Sequence, residues 1–171
     1  MGRGAEGQRV GIAAKLLPAA FALHVLEEAP GFTDWARRHA SERYTQRAFL
    51  RNNALGFALT GIATAAVVRF SGSRLFLAWY SAVLTQQALF NAAFHVGTTA
   101  AWRERSPGLV TSVTLFLPIW FAVTRRALRD GLLTRRSLAA TVTAGGVIHG
   151  AAVAQQVFYV GPRPAPLVSG Q

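Results

Sequence analysis

Long apolar runs separated by short arginine-rich segments limit this chain more than any other feature. Five such runs stand out, at about 11–29, 53–68, 75–101, 109–123 and 138–160. At ~1.5 Å of rise per residue, helices of this length approach or exceed a bilayer core of ~30 Å. Only 15% of the residues are charged, against roughly 25% in an average soluble domain. Yet 18 basic residues face 7 acidic ones, for a net charge of +11. The two facts agree because the basic residues are segregated between the apolar runs, as in a membrane protein with basic loops at anionic headgroups.

The predicted fold is therefore all-α, a polytopic membrane bundle of about five transmembrane helices. The balance of basic residues places the N-terminus on the cytoplasmic side of a bacterial-type membrane. A nucleic-acid partner, the other reading of so basic a chain, is not expected, because the basic residues flank runs long enough to cross a bilayer. The absence of cysteine excludes disulfides and thiolate metal sites. Residues 1–11 lack a cleavable leader pattern, so the first run is expected to stay as an anchor.

One domain is expected over 1–161, with a Pro-rich disordered tail at 162–171. Residues 32–51 read as a basic amphipathic helix lying on the membrane surface, capped by Thr33 or Asp34. Trp35, Trp79, Trp102, Trp120 and Tyr159 fall near run ends, as an aromatic belt would. His39 is expected to be solvated. Pro118 predicts a kink in the fourth run. Asn52, Gly56, Thr60 and Thr64, at i+4 spacing, predict a helix–helix seam.

His24, Glu27 and Glu28 close the first run. Ionisable groups at bilayer depth are costly and mark functional sites. On a helix, positions i and i+4 lie about 40° apart, with i+3 about 60° to the other side, so the three can aim at one point. Gln87, Asn91 and His95 form a polar stripe on the third run. His149 lies on the fifth, beside Gly146 and Gly150. Counting ~1.5 Å per residue from the flanking Lys15, Trp102 and Arg136 puts Glu28, His95 and His149 at similar depth. Three helices would thus supply one site. His149, amid small residues, also fits a packing role, and Glu27 and Glu28 could instead pair with Arg37 or Arg38.

The HVLEE run, read with Asn91–His95 (NAAFH) and the late His149, resembles the HXXEE family, which is named for its first motif. That family also carries N-x-x-x-H and Y-x-P-G motifs. Arg105-Ser106-Pro107-Gly108 occupies the last of these, with arginine in place of tyrosine. The resemblance spans roughly 18–159 and implies a membrane protein. It implies no activity.

The chemistry must come from the residues, and three readings follow. In the first, a divalent ion (Zn²⁺, Fe²⁺ or Mn²⁺) is bound by His24, His95, His149 and Glu28 or Glu27. The second glutamate acts as general base on a bound water, and Asn91 and Gln87 orient a ligand or a substrate carbonyl. The substrate would be a lipidic or amphipathic molecule drawn from membrane lipid. In the second reading, His and Glu perform metal-free acid–base chemistry, as in an isomerase. In the third, the same groups relay protons or cations in a carrier. The absence of an internal repeat argues against a carrier of the repeated type, although a homodimer would restore the symmetry.

Overall fold

A computed structural model describes residues 14–158, without Ser71 and without the side chains of Gln156 and Val157. The expected disordered tail and the belt residue Tyr159 lie outside the described residues. The chain there is all-α. Helix α1 covers Leu16–Glu28, α2 Phe32–His39 and α3 Gln46–Arg69. A central rod follows without a break: α4 over Arg74–Leu84, a wide π-helical stretch π1 over Thr85–Phe90, and α5 over Asn91–Trp102. The fourth rod joins α6 (Leu109–Thr111), a second wide stretch π2 (Ser112–Phe116) and α7 (Leu117–Arg129). Helix α8 covers Arg135–Val157.

Tight connections at 70–73, 103–108 and 130–134 make successive rods antiparallel neighbours. The central rod is the hub: α3, α7 and α8 pack against it, and α1 packs on α3 and on the start of the fourth rod. An apolar core, in which Leu17, Phe21, Val67, Leu77, Val83, Leu84, Phe116 and Val123 pack, runs from the end near the 70–73 and 130–134 turns toward His24, on which Phe116 stands. The Tyr80 hydroxyl is buried there and donates to the Ala14 carbonyl at 3.2 Å. Helix α8 comes very close to the hub. A Cβ on Gly145 would stand 3.0 Å from the Ala82 carbonyl oxygen and 3.0 Å from the Gln86 amide nitrogen. Both are backbone atoms, so a side chain at this crossing would be tightly placed.

Among the described residues one helix, α8 over Arg135–Gln155, is long and apolar enough to cross a membrane. The five expected spans appear as five helical rods, and the other four do not meet that measure. Arg47, Arg51, Asn52 and Asn53 occupy the first turns of α3, and two rods are divided by π stretches.

The surface helix expected over 32–51 is not one helix. Thr45 ends the turn after α2 by capping α3, its hydroxyl accepting the Ala48 amide. Residues 46–51 therefore belong to α3. Neither Thr33 nor Asp34 caps α2, whose N-cap is Gly31; Thr33 instead donates to the Gln46 side chain at 2.6 Å. The apolar face of α2 turns onto the protein, where Phe32, Trp35 and Ala36 pack with Tyr44, Ala48 and Phe49. Trp35 is thus core, not belt. Trp120 also departs from the belt, its indole N–H donating to Thr85 Oγ1 at 3.0 Å. His39 is not simply solvated. It stacks on Trp102 with ring centroids 4.4 Å apart and bonds Glu104 at 2.9 Å.

Pro118, where a kink is expected, follows directly on π2, which ends at Phe116. Proline has no amide hydrogen and its ring crowds the carbonyl four residues back, here that of Thr114 inside π2. A wide turn relieves that crowding. The Asn52–Thr64 stripe divides by depth. Thr60 and Thr64 are buried in a helix seam as predicted, whereas Asn52 and Gly56 line a cavity.

A candidate metal centre beside a cavity

The last turns of α1 put His24 and Glu28 on one inward face, both buried. One turn of α5 sets Asn91 and His95 opposite them, with His95 fully buried. Glu28 Oε1 lies 3.4 Å from His24 Nε2 and 3.4 Å from His95 Nε2. A charge-assisted hydrogen bond would be nearer 2.7–2.9 Å. Metal–ligand bonds of ~2.0–2.1 Å in a tetrahedron give ligand–ligand edges of ~3.3–3.4 Å. One ligand atom from each of the three residues can be chosen so that all lie within 4.8 Å of one another. His95 Nε2 is buried with no hydrogen-bond partner, a costly arrangement unless something else takes its lone pair or proton.

The loop after α5 shapes this cluster. Gly108 has φ +92°, a conformation that favours glycine. A Cβ there would stand 2.5 Å from His24 Cε1, 2.9 Å from His95 Cε1 and 3.0 Å from Glu28 Cγ. The loop backbone therefore closes directly over both imidazoles. Ser106, two residues earlier, is buried with its hydroxyl 2.8 Å from His95 Nδ1.

Glu27, on the flank of α1, is fully engaged. Its Oε1 accepts the Val110 amide at 3.1 Å and Arg105 at 3.1 Å. Its Oε2 accepts the Thr111 amide at 2.8 Å and the Thr111 hydroxyl at 2.6 Å. A carboxylate thus caps the start of the fourth rod, where free amides and the helix dipole favour negative charge. These bonds leave it poorly placed as a free general base, the role the spacing had suggested. Nor does either glutamate pair with Arg37 or Arg38.

The Thr111 hydroxyl has one proton, and that proton points at Glu27. Its oxygen must then accept from His24 Nδ1, 2.9 Å away. This fixes the neutral His24 ring with its hydrogen on Nδ1 and its lone pair on Nε2. The Asn91 amide nitrogen lies 2.9 Å from that Nε2, a contact that gives way when an ion takes the same lone pair. Glu27, Thr111 and His24 form one chain of hydrogen bonds ending at the ligand-type atom.

His149 is not in the cluster. It lies on α8 between the Phe90 and Phe94 rings, with Nδ1 3.4 Å from Gln86 Nε2 and with Nε2 buried and unpartnered. It faces a cavity of about 290 Å³ whose wall also includes His24, Glu28, Asn91 and Gln87. Sequence reasoning missed Thr111 and Gln86 altogether. It noted Ser106 and Gly108 only as part of a motif.

An all-α bundle with a buried His–Glu–His cluster closed by a Ser-Pro-Gly loop defines the class to which this chain conforms. The family model described as "Protein of unknown function with HXXEE motif" matches residues 15–123, and the chain belongs to that family. His24, Glu28, His95, Ser106, Gly108 and Thr111 all lie within the matched region. No curated protein and no solved structure matches the chain.

Proposed function

We propose that this protein is a multi-pass membrane enzyme that uses one divalent ion, held by His24, His95 and Glu28, to hydrolyse a lipidic or amphipathic substrate. The observation that carries the reading is the pair of 3.4 Å separations about Glu28 Oε1, with His95 Nε2 otherwise unpartnered. Neutral imidazoles with one carboxylate suit Zn²⁺, Fe²⁺ or Mn²⁺. Such an ion polarises a carbonyl and lowers the pKa of a bound water toward ~7.

The remaining work falls to the protein's own side chains. Ser106 and Thr111 hold the two imidazoles by their Nδ1 atoms, leaving each Nε2 turned inward. Asn91, on the cavity wall, orients a substrate carbonyl. His149, on the cavity wall, is the group placed to carry a proton to the leaving group. In the net reaction, water adds its hydroxyl to the acyl carbon, the bond to the alcohol or amine breaks, and the leaving group takes the proton. His149 thus stands in for the second glutamate, taking the proton of the attacking water and passing it to the leaving group.

The membrane part of the reading rests on α8 and on the surface of the bundle. Leu23, Leu26, Leu55, Ile62, Phe121 and Val147 are exposed, as expected of side chains that meet lipid rather than water. Arginines gather at both rod ends, at 69, 74, 125, 126, 129, 135 and 136 and again at 37, 38, 43, 103 and 105.

Elemental analysis of protein purified without chelator tests the metal reading. Near one ion per chain is expected in wild type and in His149→Ala, and little in His95→Ala or Glu28→Gln. Wild type free of metal, and unable to take up any of the three ions, would overturn it. Metal-free His–Glu acid–base chemistry would then take its place.

A further inference from the structure

The cavity beside the cluster has walls of unequal character. Helix α1 and the central rod form its floor, with Phe21, His24 and Glu28 from one and Gln86, Gln87, Asn91 and Phe94 from the other. Helices α3 and α8 form its two sides. Both helices pack on the central rod but scarcely on each other. One exposed hydrogen bond crosses between them, from Asn52 Nδ2 to Gln155 Oε1 at 3.2 Å. The cavity therefore opens sideways, between two helices, and not only at the end of the bundle. Leu55 (65% exposed) and Ile148 (41% exposed) stand on the two sides of that opening.

Its polar lining is unusual in kind. Asn52, Asn53, Gln86, Gln87, Asn91 and Gln155 are all carboxamides. Among the described residues that line it there is no lysine or arginine, and the one carboxylate is Glu28. A carboxamide offers both donors and an acceptor without net charge. Away from the cluster itself, a charged headgroup of either sign would find no counter-charge among these side chains, so its desolvation would go unrepaid.

We propose that the cavity takes an uncharged amphiphile with a carbonyl head, an ester or an amide, entering between α3 and α8. The substrate class rests on the hydrolase reading above; the binding does not. At about 290 Å³ the cavity is near the lower end of ligand pockets, ~300–1,000 Å³. It accommodates the polar head and the first part of a chain. The rest of the chain leaves through the side opening, past Leu55 and Ile148. The Asn52–Gln155 bond is the latch that the ligand parts.

Five eight-carbon probes in amphipol-held protein provide the test: monooctanoylglycerol, octanamide, octanoate, octyl phosphate and octylamine, with binding read by calorimetry. The two neutral probes should bind at least tenfold more tightly than the three charged ones. Ala152→Trp and Leu55→Trp, both at exposed positions on the opening, should weaken the neutral probes at least tenfold with metal content unchanged. Equal or tighter binding of a charged probe would overturn the proposal. So would neutral binding that both tryptophan variants leave intact, or no binding of any probe. Neutral binding that persists in a wild type shown to be metal-free would uphold the cavity proposal while the hydrolase reading fell.

Discussion

Thr111→Val should separate holding the ligand from being the ligand. Valine matches threonine in shape but neither donates to Glu27 nor accepts from His24 Nδ1. Loss of such a supporting bond typically lowers metal affinity 10–100-fold. A competing chelator should show that drop, with helix content by circular dichroism unchanged. Unaltered affinity would detach the Glu27–Thr111–His24 chain from the centre. Gly108→Ala is the harsher change. Its φ of +92° costs a residue with a Cβ roughly 1–2 kcal/mol, and the added carbon would press on His24 and His95. Lower thermal stability together with lost metal is expected. A normal melting point and full metal content would refute the close approach of the loop.

The element that organises the site is the 103–108 connection, and it is moored from outside. Glu104 joins it to α2 through His39 and Arg38. Hydrogen bonds from His39 and then Arg38 hold its carboxyl below its ordinary value. A depressed carboxyl contributes stability that is present above its ordinary value and is lost as pH falls through the lowered one. Amide exchange protection of Ser106, Val110 and Thr111, corrected for intrinsic rate, should therefore fall on acidification below the usual carboxylate range. In Glu104→Gln it should be lower at neutral pH and less sensitive to acid. The same pH response in both proteins would show that the mooring is not at Glu104. The stretch π1 matters at this scale too. Gln86 and Gln87, both within it, line the cavity with Asn91, and Gln86 also reaches His149 at 3.4 Å.

The whole molecule divides its labour along its length. Leu77, Val83 and Val123 lock the rods at one end, and the polar cluster occupies the other, where α1, α5 and the start of the fourth rod meet. Exposed apolar side chains run along the outside, on α1 and α3 as well as on α8. The protein should remain in the membrane fraction after alkaline carbonate washing and need detergent for release. Release by carbonate alone would leave α8 as a surface helix and remove the bilayer as the source of substrate.

Apolar periodicity makes the helices and their approximate limits legible in the sequence, because each run must bury or shield its backbone whatever its neighbours do. Spacing along single helices also brings out His24 with Glu28 and Asn91 with His95, since i and i+4 share a face. What spacing cannot convey is which faces meet. Packing of α1 on the fourth rod is what diverts Glu27 to the Val110 and Thr111 amides. The close approach of α8 at Gly145 and the wide turn of π1 leave His149 on the cavity wall, outside the cluster. Ser106 and Thr111 acquire their roles only when a loop with a positive φ at Gly108 folds over two imidazoles. Apart from the Ser106 and Gly108 contacts with His95, which are 11 and 13 residues away, these join segments some 60 to 90 residues apart. Each depends on the docking of rods against one another, which no local pattern encodes.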